Sequence, residues 1–329
     1  MITGGNQGIG LQTALLLASK GCYDITIACR NQRRAETALK QLKERAEQSN
    51  NFKSKFSWLS LDLSSLRNVE TLMEKIKKEK IIFDIIILNA GVLLPKEKST
   101  NDGFEPTFQV NFLGHFLLID GIVKHQCPKH SLRKSTNDGF EPTFQVNFLG
   151  HFLLIDGIVK HQCPKHSLRV ITLTSVIQRL VGNIFPLEKN VEKWPEMFQN
   201  AKRWKAYALS KFATAMLAHH LNTFYGDSVK AFAVHPGAVR TQMSDNVCHK
   251  GTRKMLFFLR RLLIEPETAA KNVLFCVDNN LKNGQYKHAN CIKKLPAATR
   301  KQKNIDALIE TSRKLIEQFR TENKNFGEC

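Results

Sequence analysis

The fold of this chain is decided near its start, where residues 3–10 read Thr-Gly-Gly-Asn-Gln-Gly-Ile-Gly. The spacing of Gly4, Gly8 and Gly10 suits a tight turn that lets backbone amides approach a pyrophosphate at the N-terminus of a helix. Ile9 lies within the same turn. We therefore expect this segment to bind the phosphates of a dinucleotide, with a strand before it and a helix after it.

The chain beyond the glycine turn alternates between short apolar runs and helical patterns. The predicted strands span residues 24–29, 56–61, 83–88, 170–174 and 229–234, and the predicted helices span residues 11–19, 33–47, 69–78, 108–123 and 207–224. Strict alternation of this kind is typical of a doubly wound, parallel α/β sheet of the Rossmann type. We expect one such domain over residues 1–290, followed by a polar C-terminal tail over residues 291–329.

Two features depart from an ordinary sheet of this type. Only Met1 and Ile2 precede Thr3, so we expect the first strand to be truncated. Residues 98–133 and 134–169 are identical over 36 positions, and their flanking residues differ. A single perfect doubling is unlike a solenoid, whose repeats drift and number three or more. It indicates a recent exon-sized duplication or an error in the gene sequence, and it doubles one helix of the fold.

The composition excludes several classes of protein. The chain has 329 residues, of which 42% are hydrophobic, and a formal net charge of +20. This charge would suit nucleic acid or an anionic membrane surface. No zinc-finger spacing or RNA-binding aromatic motif accompanies it, so we expect neither nucleic acid nor metal to bind. The 8 cysteines form no Cys-x-x-Cys pair, which favours reduced thiols in the cytoplasm. No run of about 20 apolar residues is present to span a membrane.

A helical pair and an upstream serine point to the chemistry. Tyr207 and Lys211 are four residues apart, so they share one face of a helix. A cation close to a phenol favours the phenolate, which should lower the pKa of Tyr207 from about 10 toward neutrality. The tyrosine could then donate or accept a proton at cellular pH. Ser175 stands at the carboxyl end of a predicted strand, where it could join them.

The residues that end three predicted strands bear on the choice of cofactor. Arg30 follows the second strand, where a cation suits the 2′-phosphate of NADP(H) and a carboxylate would suit the 2′-hydroxyl of NAD. Asp62, after the third strand, could contact the adenine amine or could cap the next helix, and the two interpretations stand equal. Asn89, Ala90 and Gly91 could approach the nicotinamide ribose or could form a plain strand-ending turn.

Taken in order, these motifs resemble the short-chain dehydrogenase/reductase family over roughly residues 1–290. The resemblance rests on the glycine turn, residues 89–91, Ser175, the Tyr207–Lys211 pair and Pro236-Gly237. Finer features resemble the retinol dehydrogenase branch, namely Asp-Gly-Phe-Glu at 102–105, Asn-Phe-Leu-Gly-His-Phe at 111–116 and His-Pro-Gly-x-Val-x-Thr at 235–241.

The resemblance implies a role for each matching residue. Tyr207 would act as the acid/base, Ser175 would hydrogen-bond the substrate oxygen, and Lys211 would hold the ribose and lower the tyrosine pKa. Three residues of the 235–241 motif would contact the cofactor, namely Pro236, Gly237 and Thr241.

An asparagine in the helix after residues 89–91 would anchor a water of a proton relay. Asn111 and Asn147 match this position equally, because they are copies of each other. Asn111 keeps the natural distance from Asn89, and Asn147 keeps the natural distance to Ser175. We favour Asn147, because its helix leads directly into the strand that carries the serine.

The resulting prediction is an NADP(H)-dependent oxidoreductase that interconverts a lipophilic alcohol and its aldehyde or ketone. The apolar, cation-bearing segment 249–264 would be a substrate lid, an interfacial helix on an intracellular membrane or a plain surface helix. The resemblance is also compatible with a homodimer. Two other interpretations stand beside it: a non-catalytic scaffold that binds NADPH, and a non-functional product of the duplication and the short first strand.

Overall fold

A computed structural model of the chain has the α/β architecture that the sequence predicts. It describes residues 1–50, 53–93, 95–126, 168–182, 184, 186–201, 203–226, 228–239 and 263–324. The strands in these residues are β1 (Ile2–Thr3), β2 (Ile25–Cys29), β3 (Phe56–Ser60), β4 (Ile85–Leu88), β5 (Leu168–Leu173), β6 (Val229–His235), β7 (Gln285–His288) and β8 (Cys291–Lys294). They form one sheet in the order β3-β2-β1-β4-β5-β6-β7-β8. Neighbouring strands are parallel except β7 and β8.

The helices lie between and after these strands. Those described are α1 (Gly8–Lys20), α2 (Gln32–Gln48), α3 (Leu66–Lys78), α4 (Pro106–Phe108), α5 (Gly114–Gln126), α6 (Trp194–Gln199), α7 (Arg203–Tyr225), α8 (Pro266–Asp278), α9 (Ala297–Arg300) and α10 (Gln302–Lys324). A π-helical turn, Gln109–Leu113, joins α4 to α5, and two 3₁₀ helices span Val176–Leu180 and Val191–Lys193. The order of elements agrees with the predicted alternation.

Helices cover both faces of the sheet, which explains the apolar composition of its strands. One core contains residues of α3, α5 and α7, and the other contains residues of α1, α2 and α8. In β4, Ile86 and Leu88 belong to the first core and Ile87 belongs to the second. Successive side chains of a strand point to opposite faces, so the apolar run of β4 is a strand buried on both sides.

The glycine turn directly follows β1, a strand of two residues that lies in the middle of the sheet between β2 and β4. Ile2 pairs with Ile27 of β2 and with Ile87 of β4. The amide of Gly4 extends this ladder by donating to the Ala28 carbonyl at 2.8 Å. The turn is therefore anchored on two neighbouring strands although its own strand is short.

The two copies of the repeat contribute to different elements. The helical segment from α4 to α5 comes from the first copy, and its Phe112 and Leu118 are fully buried. Strand β5 begins with Leu168 and Arg169, which are the last two residues of the second copy. Residues 127–167 lie outside the described residues. One copy of the helix and one copy of the strand start thus complete the described core.

The chain does not divide at residue 290, where the sequence places a boundary. Residues 291–294 form β8 in the same sheet, and α10 packs against α6 and α7. Leu308 of α10 is fully buried, and Arg320 Nε donates to Glu70 Oε1 of α3 at 2.7 Å. The segment that the sequence suggests as a polar tail is therefore an amphipathic helix that packs on the core.

Candidate active site

The glycine turn has a backbone geometry that favours glycine. Gly4 has φ +64° and Gly8 has φ +57°, both in the left-handed region. A Cβ on Gly10 would lie 2.5 Å from the Gly4 carbonyl oxygen. Helix α1 begins at Gly8 with no acidic residue in its first turn, so its free amides are available to an anion. Ile9 packs against the core with its side chain, which leaves its backbone for a ligand. This cradle fits a pyrophosphate.

A surface pocket of about 620 Å³ opens beside the end of β2 and is lined by Arg30, Asn31, Gln32, Arg33 and Glu36. Glu36 accepts from Gln32 Nε2 at 2.9 Å. Sequence reasoning misses this carboxylate, because the first turn of α2 brings it back beside the strand end. Arg34 lies across the glycine turn, where its Nη1 donates to Gln7 Oε1 at 3.1 Å. Two guanidinium groups face one carboxylate, so the pocket favours an anionic group.

Asp62 stabilises a turn and does not cap the helix that follows it. Its Oδ1 accepts from the amide and from the hydroxyl of Ser64, at 2.9 and 2.5 Å. The N-cap of α3 is Ser65, whose hydroxyl accepts from the Asn68 amide at 3.2 Å. The interpretation of Asp62 as a helix cap is therefore wrong, because the chain makes one more turn before the helix begins. Its contact with adenine stays a prediction.

The turn after β4 is held by the hydroxyl at the end of β1. Thr3 Oγ1 accepts from the amides of Asn89 and Ala90, each at 3.0 Å. Gly91 leaves the turn close to α7, since a Cβ there would lie 3.8 Å from Lys211 Nζ. The turn therefore lies where a ligand could contact both its backbone and the lysine.

Asn111 occupies the π-helical turn and is 2% exposed. Its Oδ1 accepts from the Val92 amide at 2.7 Å, and its Nδ2 donates to the Val92 carbonyl at 3.0 Å. Nδ2 also lies 3.2 Å from Ser210 Oγ, so the asparagine ties the turn after β4 to α7.

The first copy of the repeat therefore fills the position for which the sequence favours Asn147. Asn147 itself lies outside the described residues. The sequence favours Asn147 because its helix is next to β5 along the chain. The structure corrects this preference, because Asn111 occupies the position. Identical segments have identical packing surfaces, so distance along the chain does not decide which one packs.

Strand β5 and helix α7 bring together the serine, tyrosine and lysine. The Ser175 side chain approaches the Tyr207 hydroxyl closely enough to lower the pKa of the phenol. Lys211 Nζ donates to the Leu173 carbonyl at 2.9 Å and lies 5.8 Å from the centroid of the Tyr207 ring. Thr174 Oγ1 donates to the Lys211 carbonyl at 2.8 Å, which fastens α7 to the end of the strand. The three side chains form one cluster at the carboxyl edge of the sheet.

The pKa values in this cluster differ from the sequence expectation. Burial lowers the pKa of Lys211 from 10.5 to about 8. Burial also raises the pKa of Tyr207 above its ordinary 10.0, and the Ser175 side chain opposes this rise only in part. The prediction that Lys211 lowers the phenol pKa toward neutrality is therefore wrong. The Lys211 ammonium donates to the Leu173 carbonyl. The loss of solvent around the phenol is the largest influence on the pKa of Tyr207.

The end of β6 completes this edge of the sheet. Asn272 Nδ2 of α8 donates to the Pro236 carbonyl at 3.0 Å. Gly237 has φ +112°, and a Cβ there would lie 2.5 Å from an isoleucine side chain, so the position favours glycine. Thr241 and residues 249–262 of the suggested lid lie outside the described residues. Within the part of the chain that is described, no helix is both long and apolar enough to cross a bilayer.

Sequence reasoning misses two residues that support the site. Thr3 belongs to the glycine motif, yet its hydroxyl serves the turn after β4. His115 contacts both Thr3 and the backbone of Asn111. The available signal is the spacing of Asn111 and His115, which are four residues apart and so share a helix face.

Known proteins resemble this chain in sequence. Residues 1–131 match the family model described as short chain dehydrogenase. Over 118 residues the chain is 45% identical to the WW domain-containing oxidoreductase of Drosophila melanogaster, which covers 36% of this chain and 28% of that protein. Over 278 residues it is 32% identical to retinol dehydrogenase 13 of Homo sapiens, which covers 82% of this chain and 69% of that protein.

A solved structure resembles the chain in fold. An uncharacterized protein from Mycobacterium Paratuberculosis has a TM-score of 0.63 at 20% identity, over 96% of this chain and 92% of that one. The chain spans 28% of the length of its Drosophila relative. Its similarity to the human retinol dehydrogenase extends over more than two thirds of that protein, on a matching fold. The chain therefore belongs to the short-chain dehydrogenase/reductase family and resembles its retinol dehydrogenase branch.

Proposed function

We propose that this chain is an oxidoreductase that interconverts a lipophilic alcohol and its aldehyde or ketone with NADP(H). The observation that carries the proposal is the cluster in which the Ser175 side chain approaches the Tyr207 hydroxyl and Lys211 Nζ lies 5.8 Å from the centroid of the Tyr207 ring. Membership of the family supports the general activity, which is oxidation or reduction at a CH–OH group. The cofactor and the substrate class are the finer parts of the proposal.

The residues along the carboxyl edge of the sheet would hold an extended dinucleotide. The glycine turn would bind the pyrophosphate through backbone amides, and Asp62 would face the adenine. The pocket of about 620 Å³ at Arg30 and Arg33 would take the 2′-phosphate. The turn after β4, together with Lys211, would hold the nicotinamide ribose. The bound cofactor supplies or accepts the hydride.

Tyr207 would exchange a proton with the substrate oxygen while Ser175 orients that oxygen. Because burial raises the pKa of Tyr207, its hydroxyl stays protonated at neutral pH and is ready to donate when a carbonyl is reduced. The pKa of Lys211 is lowered to about 8, so its ammonium is mostly protonated at neutral pH. It could return a proton to Tyr207 after the tyrosine has donated its own. Asn111 keeps the turn after β4 in place beside this path.

Apolar side chains near the cluster support a lipophilic substrate. Val176 follows Ser175 and is 46% exposed. Trp204 is 43% exposed and meets the Tyr207 ring edge-on, with 6.4 Å between the ring centroids. Exposed large apolar residues beside polar reactive groups are typical of a binding site for an apolar ligand. The related retinol dehydrogenase is named for an alcohol of this kind.

The proposal is tested by cofactor binding and by one substitution. NADPH and NADH are titrated into the purified chain, and binding is followed by fluorescence transfer from protein to nicotinamide. We expect saturable binding that favours NADPH. Tyr207→Phe should then lower kcat on a lipophilic aldehyde by about 10²–10⁴-fold, because the proton donor is lost. The Kd for NADPH should stay within about twofold, since the phenyl ring remains.

Tyr225→Phe, on the same helix, is the matched control and should keep both values. Loss of NADPH binding in Tyr207→Phe would give the tyrosine a structural role instead. Wild-type binding without turnover of any carbonyl would favour the non-catalytic scaffold. Failure to bind either cofactor would mean that this chain is not a working enzyme.

A further inference from the structure

His115 is a buried residue of α5 that touches none of the groups expected to react. It is 2% exposed. Its Nε2 lies 2.9 Å from Thr3 Oγ1, and its Nδ1 lies 3.2 Å from the main-chain carbonyl oxygen of Asn111. One ring therefore bridges the end of β1 and the π-helical turn.

The hydrogen bonds around Thr3 determine which ring nitrogen carries the proton. Thr3 Oγ1 accepts from the amides of Asn89 and Ala90, each at 3.0 Å, and these donors use both of its lone pairs. Its own hydrogen can reach His115 Nε2 at 2.9 Å or, less well, the Ile87 carbonyl at 3.4 Å. Nε2 is therefore the acceptor, and Nδ1–H donates to the Asn111 carbonyl.

The surroundings keep this ring uncharged. Burial lowers the pKa of His115 from 6.5 to about 4, which outweighs the opposing hydrogen bond to Asn111. The positive charge of Lys211 lowers it further. A neutral imidazole has one donor and one acceptor, and these are the groups that the carbonyl and the threonine hydroxyl require.

The ring thereby connects both ends of the turn after β4. Thr3 holds the amides of Asn89 and Ala90, while Asn111 holds Val92 with its side chain. His115 joins Thr3 to Asn111, so one chain of hydrogen bonds links the two clamps. Between them lies Gly91, beside the ammonium of Lys211.

We propose that His115 is a positioning residue for the reaction: through Thr3 it sets the backbone that would hold the nicotinamide ribose, and through Asn111 it sets the end of that turn beside Lys211. This inference rests on the proposed function. We call the contact of Nε2 with Thr3 the cofactor arm and the contact of Nδ1 with the Asn111 carbonyl the proton-path arm.

Two substitutions separate the two arms. In His115→Asn the side-chain amide can take the place of Nδ1–H and donate to the Asn111 carbonyl, but the Thr3 hydroxyl keeps only its weaker acceptor, the Ile87 carbonyl at 3.4 Å. In His115→Gln the longer side chain can place its oxygen near the position of Nε2 and accept from Thr3, while the Asn111 carbonyl keeps only its weaker side-chain donor, Thr214 Oγ1 at 3.5 Å. Each variant therefore leaves one buried polar group with only a long, weak hydrogen bond in place of the one to the ring.

We expect His115→Asn to raise the Kd for NADPH by about tenfold, because the turn after β4 loosens, and to change kcat at saturating NADPH by less than about twofold. We expect His115→Gln to keep the Kd and to lower kcat by about tenfold. In the cofactor-free protein, the amides of Asn89 and Ala90 should exchange hydrogen faster in His115→Asn than in His115→Gln. His219→Asn, at the surface of α7, serves as the control and should change none of these values.

If both variants lose affinity and kcat equally, or keep both while only Tm falls, His115 is a structural residue and the proposal is overturned. The wild-type protein, measured alongside, keeps this result separate from the proposed function. If it binds NADPH without turning over a carbonyl, the proposed function fails. Binding and amide exchange in the two variants would then still decide the role of His115.

Discussion

Lys211 and His115 are buried and Tyr207 is partly buried, and at all three side chains the loss of solvent favours the uncharged form. The pKa falls to about 8 for the lysine and to about 4 for the histidine, and it rises for the tyrosine. At the scale of the residue, desolvation is therefore stronger than the pairing of charges. A site of this kind holds neutral donors and acceptors in place and presents one cation.

The lowered pKa of Lys211 predicts how the free energy of unfolding depends on pH. In the unfolded chain this lysine has its ordinary pKa of 10.5, whereas in the folded chain the pKa is about 8. Between these values the unfolded state binds more protons, so the contribution of Lys211 makes stability rise with pH. The slope is at most about 1.4 kcal/mol per pH unit, and below pH 8 the contribution is constant.

Urea unfolding at pH values from about 7 to 10 measures this effect as the difference between the wild type and Lys211→Met. The methionine fills a similar volume and does not titrate, so the difference should grow in favour of the wild type as the pH rises above 8. Parallel curves for the two proteins would show that Lys211 keeps an ordinary pKa in the folded state.

At the scale of the element, the helix after the π-helical turn packs closely because of two glycines. A Cβ on Gly114 would lie 2.7 Å from the Leu63 carbonyl oxygen, and a Cβ on Gly121 would lie 2.8 Å from the end of the Met73 side chain. The first contact involves backbone and cannot relax by a change of rotamer. This close approach brings α5 against the loop before α3.

Gly114→Ala should therefore lower the free energy of unfolding by about 1–3 kcal/mol, because the added methyl group forces α5 away from that loop. Gly150→Ala is a matched control, since it makes the same change in an identical sequence context of the second copy. We expect no loss in the control. Chemical denaturation of both variants is the measurement, and a loss confined to Gly150→Ala would mean that the second copy packs on the sheet.

At the scale of the whole molecule, one copy of the repeat completes the described fold. Gln126 Nε2 at the end of α5 donates to the Phe83 carbonyl at 3.0 Å, and the Arg169 amide of β5 donates to the carbonyl of the next residue, Asp84, at 2.7 Å. The end of the helix and the start of the strand are therefore close neighbours. A few residues of extended chain, at about 3.3–3.6 Å each, would join them.

Deletion of residues 134–169 should leave a protein that folds with the same core and site. The variant has one copy, and its Leu132 and Arg133 take the places of Leu168 and Arg169 without any change of sequence. The described core uses one copy of the helix and one copy of the strand start, so stability should not fall.

Thermal unfolding and NADPH titration of this variant against the full chain test the prediction. We expect an equal or higher Tm and an unchanged Kd. A variant that fails to fold or to bind NADPH would show that residues 127–167 carry part of the structure.

Much of the fold follows from local patterns in the sequence. The apolar run before Asn89 predicts a strand, and that strand is β4. Where the prediction failed, the residue at which a helix starts decides the outcome. Asp62 has the right residue type for a helix cap, but the helix begins at Leu66 and its N-cap is Ser65. The carboxylate of Glu36 enters the pocket beside Arg30 because α2 starts directly after β2.

The sequence by itself determined the alternation of strands and helices, the glycine turn and the order of the site motifs, because periodicity, glycine geometry and residue type are local properties. Only the tertiary structure decided that Asn111 fills the site position, since two identical segments have the same local preferences. The tertiary structure alone also decided the direction of the Tyr207 pKa and the partners of His115. Desolvation and hydrogen bonding depend on which distant residues surround a side chain, and spacing along the chain does not contain that information.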